Sequence, residues 1–280
     1  MQKDERDLLE VLKPDFHFEV ANQEETTMTR KRNAIIFSLF VLVGVALILL
    51  PGLIPDGVRV VSAAAAASYT ITQVSGGGTI AGKILYSGKP VRPKRFPVTQ
   101  DVSTCGKTRE VYPVKIEQGG VTEAVVWLDD ITGGKAFNFP EPVMDQKNCE
   151  FVPHVLLIQP GAMKMLNTDL CSHSIHVLSS TNREVNLSIP PKTAPTVLTL
   201  MRPDQAMVRC EIHKWMEAYV IVAKNAYYVL SGAGGAYTLT DVPPGKYHIK
   251  VWQETLGTRT QEVTVETGKT ATVSFNFGSK

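Results

Sequence analysis

One short segment constrains this chain more than any other: Met207-Val208-Arg209-Cys210-Glu211-Ile212-His213-Lys214-Trp215-Met216-Glu217-Ala218-Tyr219-Val220-Ile221-Val222. Two β-type apolar runs flank a turn that carries Cys210, His213 and Met216 at the spacing CxxHxxM. A loop this tight can aim a thiolate, an imidazole and a thioether at one point. Two imidazoles and a thiolate in a plane, with a weak axial thioether, make a blue-copper donor set. The segment supplies all of it but one imidazole.

The missing ligand is expected upstream, in Asn167-Thr168-Asp169-Leu170-Cys171-Ser172-His173-Ser174-Ile175-His176-Val177. Side chains three apart on a strand point to opposite faces, so His173 and His176 are not expected to reach the same ion. Here the chain resembles the cupredoxins, in particular the short-looped amicyanin type, in which the first histidine opens a His-Asn-Val-His-like sequence. That resemblance selects His173 as the fourth metal ligand beside Cys210, His213 and Met216, and implies a single type 1 copper ion, unless the site has been lost. It departs from the family at Ser174, where an Asn usually braces the other ligand loop, and at Cys171, where an apolar side chain is usual. A zinc site from Cys171, His173, Cys210 and His213 is a chemical alternative. A Cys171–Cys210 bridge would abolish the centre.

The remainder of the chain reads as mainly β. Strand-like runs at 79–86, 111–116, 122–128, 152–159, 163–166, 173–178, 185–189, 196–201, 207–210 and 218–222 are punctuated by turn residues, the rhythm of an antiparallel sandwich. Residues 79–223 are therefore expected to form a cupredoxin-like Greek-key sandwich. Residues 224–280 hold Ala236-Tyr237-Thr238-Leu239-Thr240-Asp241-Val242-Pro243-Pro244-Gly245-Lys246-Tyr247-His248-Ile249-Lys250-Val251-Trp252, which resembles the carboxypeptidase-regulatory-like, transthyretin-type β-sandwich. Tyr247, Ile249 and Val251 should face one way, His248, Lys250 and Trp252 the other. Such modules serve as scaffolds or binding elements. Gln253 stands where the family often has His, which argues against a metal role there. The phrase from Asp145 to Val155 resembles exported plastocyanin-like, methylamine-utilisation-like proteins that pair a cupredoxin with a small extra domain.

Before the β region come three segments. Residues 1–33 form an acidic tail with a basic flank: 1–27 hold eight Asp or Glu against three Lys or Arg, and Arg30-Lys31-Arg32 follow. Residues 34–55 are long and apolar enough to span a bilayer, and the basic triplet places their N-terminal side in the cytoplasm. A cleaved leader competes with an uncleaved anchor, but the stretch between the apolar run and the alanines 63–67 is long for a cleavage region. Residues 56–78 read as a linker. The expected location is a bacterial inner membrane, single-pass, with the β domains periplasmic. Export permits disulfides; Cys105 and Cys149 are candidates for a bridge, for free thiols, or for a second metal site with His154.

The formal charge of +2 across 280 residues, without basic clusters interleaved with aromatics, gives no footprint for nucleic acid. No nucleophile and base form a recognisable pair, and the six histidines are too scattered for oxygen-activating copper clusters. The sequence thus predicts a non-enzymatic protein without a small-molecule substrate. Two functions remain: a one-electron carrier or redox subunit working with redox partner proteins of a membrane complex, and a metal-free structural subunit of a respiratory or photosynthetic assembly.

Overall fold

The computed structural model describes residues 69–278. The acidic tail, the expected membrane span and most of the linker lie outside the described residues. Among the described residues no helix is long and apolar enough to cross a membrane. The structure is mainly β, in two sandwiches.

The first sandwich packs a four-stranded sheet against a five-stranded one. The smaller sheet runs Glu150–Val152, Val143–Lys147, Gly161–Asn167, Thr196–Leu200. The larger runs Val155–Ile158, Glu217–Val222, Asp204–Arg209, His173–Leu178, Val185–Ile189. Most neighbours are antiparallel; Val143–Lys147 with Gly161–Asn167 and Val155–Ile158 with Glu217–Val222 are parallel. Alternate side chains from both sheets, among them Met144, Met163, Met165, Ile175, Val177, Leu198, Val208 and Val220, fill one core.

The second sandwich is drawn from both ends of the described chain. One sheet runs Tyr228–Leu230, Val125–Leu128, Gly245–Gln253, Gly257–Val265. The other runs Ala236–Val242, Gly78–Tyr86, Gly120–Val121, Ile116–Glu117, with Thr270–Thr272 and Phe275–Phe277 also on Gly78–Tyr86. Ile80, Ile84, Val126, Leu128, Ile249, Val251 and Phe275 share its core. The expected division at 223/224 differs from this pairing. The strands Gly78–Tyr86 and Val125–Leu128 were expected in the first sandwich but hydrogen-bond with the C-terminal segment. Alternation along a strand says which face is buried, not which strand lies beside it.

Two uninterrupted apolar runs show where the sandwiches meet. All four residues of Val125–Leu128 and of Val155–Ile158 are buried, as expected of strands covered on both faces. Val126 and Leu128 point into the second core, Leu156 and Ile158 into the first. Val125, Trp127, Val155, Leu157 and Ile221 form a separate cluster between them, flanked by Tyr219 and Trp252.

Between Gly78–Tyr86 and Ile116–Glu117 the chain makes an excursion onto the first sandwich. The hairpin Lys94–Pro97 with Thr108–Val111 and the short helix Val102–Cys105 bring Val98 and Cys105 into the first core, with Phe96 and Val111 packed against it. Cys105 is disulfide-bonded to Cys149. Of the options open in the sequence for these two residues, the structure takes the bridge.

Candidate metal centre

Cys210 follows the strand Asp204–Arg209, and the turn after it returns as Glu217–Val222. The turn is closed by backbone bonds: Cys210 N–H to the Met216 carbonyl at 3.0 Å and Met216 N–H to the His213 carbonyl at 2.9 Å. The CxxHxxM spacing is thus a tight connection between two antiparallel strands. Across the sheet, His173–Leu178 pairs with Asp204–Arg209, which carries His173 to the same end of the sandwich.

There the side chains converge. A ring nitrogen of His173, one of His213 and the Cys210 sulfur lie within 4.8 Å of one another. Nδ1 of His173 is 2.9 Å from Nδ1 of His213, which is 3.9 Å from Cys210 Sγ. Both histidines are fully buried, and Cys210 and Met216 nearly so. Cys171 and Cys210 are free thiols, so the bridge that would abolish the centre is not formed.

The opposite ring atoms are held by carboxylates. His173 Nε2 is 3.0 Å from Asp169 Oδ2, and His213 Nε2 is 3.2 Å from Asp101 Oδ2. Asp169 also accepts the backbone N–H groups of Asn148 and Cys149. A carboxylate only accepts, so each Nε2 donates its hydrogen, and in a neutral ring Nδ1 is left as a lone-pair donor. Two such lone pairs facing at 2.9 Å repel unless a proton or a cation lies between them. A shared proton relieves that repulsion as a cation would; the Cys210 sulfur beside the two ring nitrogens makes the set one that could also hold a metal ion, and its second layer of carboxylates is of the kind that orients metal-bound imidazoles.

The thiol is prepared in the same way. Burial raises its pKa, but the His173 ring and the backbone N–H groups of Ser174 and His213 outweigh burial and push Cys210 down to about 7; the two N–H groups lie 3.3 and 3.4 Å from the sulfur. For His173, burial opposes the charged form, yet hydrogen bonding to Cys210 and Asp169 raises the pKa. His213 shifts down, through burial and the neighbouring His173. Cys171 behaves oppositely to Cys210: burial, with Asp101 and Asp169 nearby, pushes it up to about 11.

Ser174 takes the bracing position. Its hydroxyl accepts the Glu211 backbone N–H at 2.6 Å, tying the ligand loop to the His173 strand. His176 is not brought into the cluster; its ring nitrogens are each 2.6 Å from a carboxylate, Glu211 and Glu184. Trp215 is 9 % exposed, donates to the Cys149 carbonyl and packs on His213 with ring centroids 5.0 Å apart. His154 pairs with Glu254 and the Glu217 carbonyl instead of with Cys105 and Cys149. Sequence reasoning missed Asp169 and Asp101. Asp169 stands four residues before His173, a local signal; Asp101 reaches the centre only through the excursion and leaves none.

Residues 215–278 match the Carboxypeptidase regulatory-like domain family. The match begins within the turn that carries Met216 and runs through the C-terminal strands of the second sandwich. A comparison with curated proteins finds no match. Solved structures resemble about a third of the chain. They include a copper-containing nitrite reductase from Thermus scotoductus SA-01 (20% identity, 32% of this chain and 24% of that one, TM-score 0.26). A purple cupredoxin from Nitrosopumilus maritimus matches at 14% identity, 30% of this chain and 100% of that one, with TM-score 0.26. A mutant of amicyanin in its Cu(I) form matches at 20% identity, 30% of this chain and 82% of that one, with TM-score 0.27.

Proposed function

We propose that this chain is a membrane-anchored, exported electron-transfer protein with one copper ion held by His173, Cys210, His213 and Met216. The observation that carries the reading is a ring nitrogen of His173, one of His213 and the buried Cys210 sulfur lying within 4.8 Å of one another while both Nε2 atoms are engaged by carboxylates. A copper ion there would supply a one-electron couple. The chain's own residues do the rest: Asp169 and Asp101 hold the rings, the Ser174 and His213 N–H groups stabilise the thiolate, and Ser174 Oγ fixes the loop. Ligands held this firmly would keep their positions whether a bound ion were oxidised or reduced. The apolar run at 34–55, its basic flank and the Cys105–Cys149 bridge support an anchored chain in an oxidising compartment. The partners are then redox proteins or subunits of the same membrane complex.

The second reading is a metal-free structural subunit of such a complex. Its support is that neither His173 nor His213 reaches solvent, so no ligand edge is presented directly to a partner. Copper titration of the detergent-purified chain separates the two. The electron-transfer reading expects intense visible thiolate-to-copper absorption with Cu(II). Cys210→Ser should abolish it, and Met216→Leu should keep it with a raised potential, because the axial thioether only tunes the ion. Colourless zinc binding, or no binding, sinks it.

A further inference from the structure

Behind the histidine pair, on the Nε2 side away from Cys210, lies a second group of sulfurs. Cys105 and Cys149 form the bridge; Cys171 is free. The sulfurs of Cys149 and Cys171, an Asp169 carboxylate oxygen and a His173 ring nitrogen all lie within 4.8 Å of one another, and so do the sulfurs of Cys105 and Cys171 and a His213 ring nitrogen. Cys171 is thus within reach of both sulfurs of the bridge. All three cysteines are buried.

We propose that reduction of the Cys105–Cys149 bridge opens a second metal site, formed by the thiolates of Cys105, Cys149 and Cys171 and suited to Cu(I). In the bridged state only Cys171 can offer a thiolate, and the site is closed. A dithiol reductant delivers two electrons and two protons: the S–S bond breaks, two thiols form, and the reductant becomes a disulfide. Each sulfur that then bonds to the ion gives its proton to solvent. Three soft, buried thiolates with few hard donors favour Cu(I) over harder cations.

The backbone keeps the sulfurs together once the bridge opens. Cys149 is held at both ends, its N–H on Asp169 at 2.7 Å and its carbonyl on the Trp215 indole at 2.9 Å. Cys105 donates its N–H to the Asp101 carbonyl at 2.8 Å. Cys171 is fixed through its carbonyl, which accepts from Asn167 at 2.9 Å. The same two imidazoles separate this group from Cys210: His173 Nε2 is 3.6 Å from Cys171 Sγ, and His213 Nε2 is 3.8 Å from Cys105 Sγ. The geometry makes the pair a common wall between a soft-metal store and the centre at Cys210. The second site does not depend on copper at the first.

The test is anaerobic Cu(I) titration of the full chain in detergent against a competing Cu(I) chelator, with and without prior reduction by a phosphine. Thiol alkylation and mass measurement report the state of the bridge. Reduction should add one equivalent of bound Cu(I) and raise the sulfur share of the mean copper first shell by X-ray absorption. Cys171→Ser and Cys171→Ala should each lose that equivalent. Cys210→Ser should retain it, which separates failure of this proposal from failure of the copper reading at Cys210. Equal stoichiometry in the two redox states overturns the proposal. So does an added equivalent that survives both Cys171 variants, one that appears only with loss of the native near-ultraviolet spectrum, or a preference for Zn(II) over Cu(I) in a parallel titration.

Discussion

Nδ1 of His173 faces Nδ1 of His213 at 2.9 Å, a separation that two neutral rings with their Nε2 hydrogens committed elsewhere cannot hold without a proton or an ion between them. The two aspartates that commit those hydrogens therefore decide which ring nitrogens face each other. They differ in setting: the Asp169 side chain is 7 % exposed and the Asp101 side chain 37 %.

That difference sets the order of their effects. Loss of an outer-shell partner weakens metal binding by about 10–100-fold. Asp169→Asn should lie toward the upper end, because Asp169 also holds the backbone of Asn148 and Cys149, and Asp101→Asn toward the lower. Chelator competition measures both. A larger loss at Asp101 would mean that solvent-exposed Asp101 is the main orienting group.

His173 and His176 lie on one strand, yet only the first joins the cluster. His176→Gln should leave copper colour nearly intact, and His173→Gln should remove it. Ser174→Ala leaves the Glu211 N–H without its partner, at a cost of about 1 kcal/mol, read as a lowered denaturant midpoint. It should also broaden the thiolate absorption, since the loop loses its tie to the strand. Unchanged stability and spectrum together would show that Ser174 does not brace the loop.

His154 joins the two sandwiches through Glu254, 2.8 Å away. Burial alone would lower its pKa, but the hydrogen bond and charge of Glu254 prevail and raise it. The folded value lies above the unfolded one of about 6.5. The pair's contribution is therefore fully present below the unfolded pKa and is lost as pH rises through the folded one. NMR titration should find His154 above its ordinary value in the native chain and below it in Glu254→Gln, where burial is left unopposed. The stability difference between the two proteins should shrink as pH rises through the native His154 pKa. A difference that grows over that window contradicts the assignment.

What could be read in the sequence was what depends on local spacing. The ligand loop was legible because Cys210, His213 and Met216 sit in one turn, and the C-terminal strand was legible because Ile249 and Val251 alternate with His248 and Lys250 toward a single core. His173–Leu178 and Val185–Ile189 fall where the alternation put them, while the run at 152–159 is split at Pro153, which lacks a ladder donor, between the end of Glu150–Val152 and Val155–Ile158 in the other sheet. What was not legible depends on partners distant in the chain. Asp101 reaches His213 across 112 residues, and Gly78–Tyr86 finds its neighbours at the far end of the chain. Neither relation leaves a local pattern.

The interleaved second sandwich gives the sharpest test of that nonlocal pairing. Gly78–Tyr86 is covered by Ala236–Val242 on one side and by Thr270–Thr272 and Phe275–Phe277 along the other. A Cβ at Gly82 would lie 1.6 Å from the Val273 carbonyl oxygen, so the two backbones meet there with no room for a side chain. Gly82→Ala must push them apart, at about 3 kcal/mol, the upper end of ordinary overpacking costs. Ending the chain after residue 224 is more severe: it strips those strands away and exposes Ile80, Ile84, Val126 and Leu128, all fully buried in the whole protein. The shortened chain should bind ANS, lose its cooperative melt and aggregate, even though every proposed copper ligand is still present. If 79–223 were self-sufficient, Gly82→Ala would be mild and the shortened chain would melt cooperatively as a monomer; that pair of results would return both strands to the first sandwich.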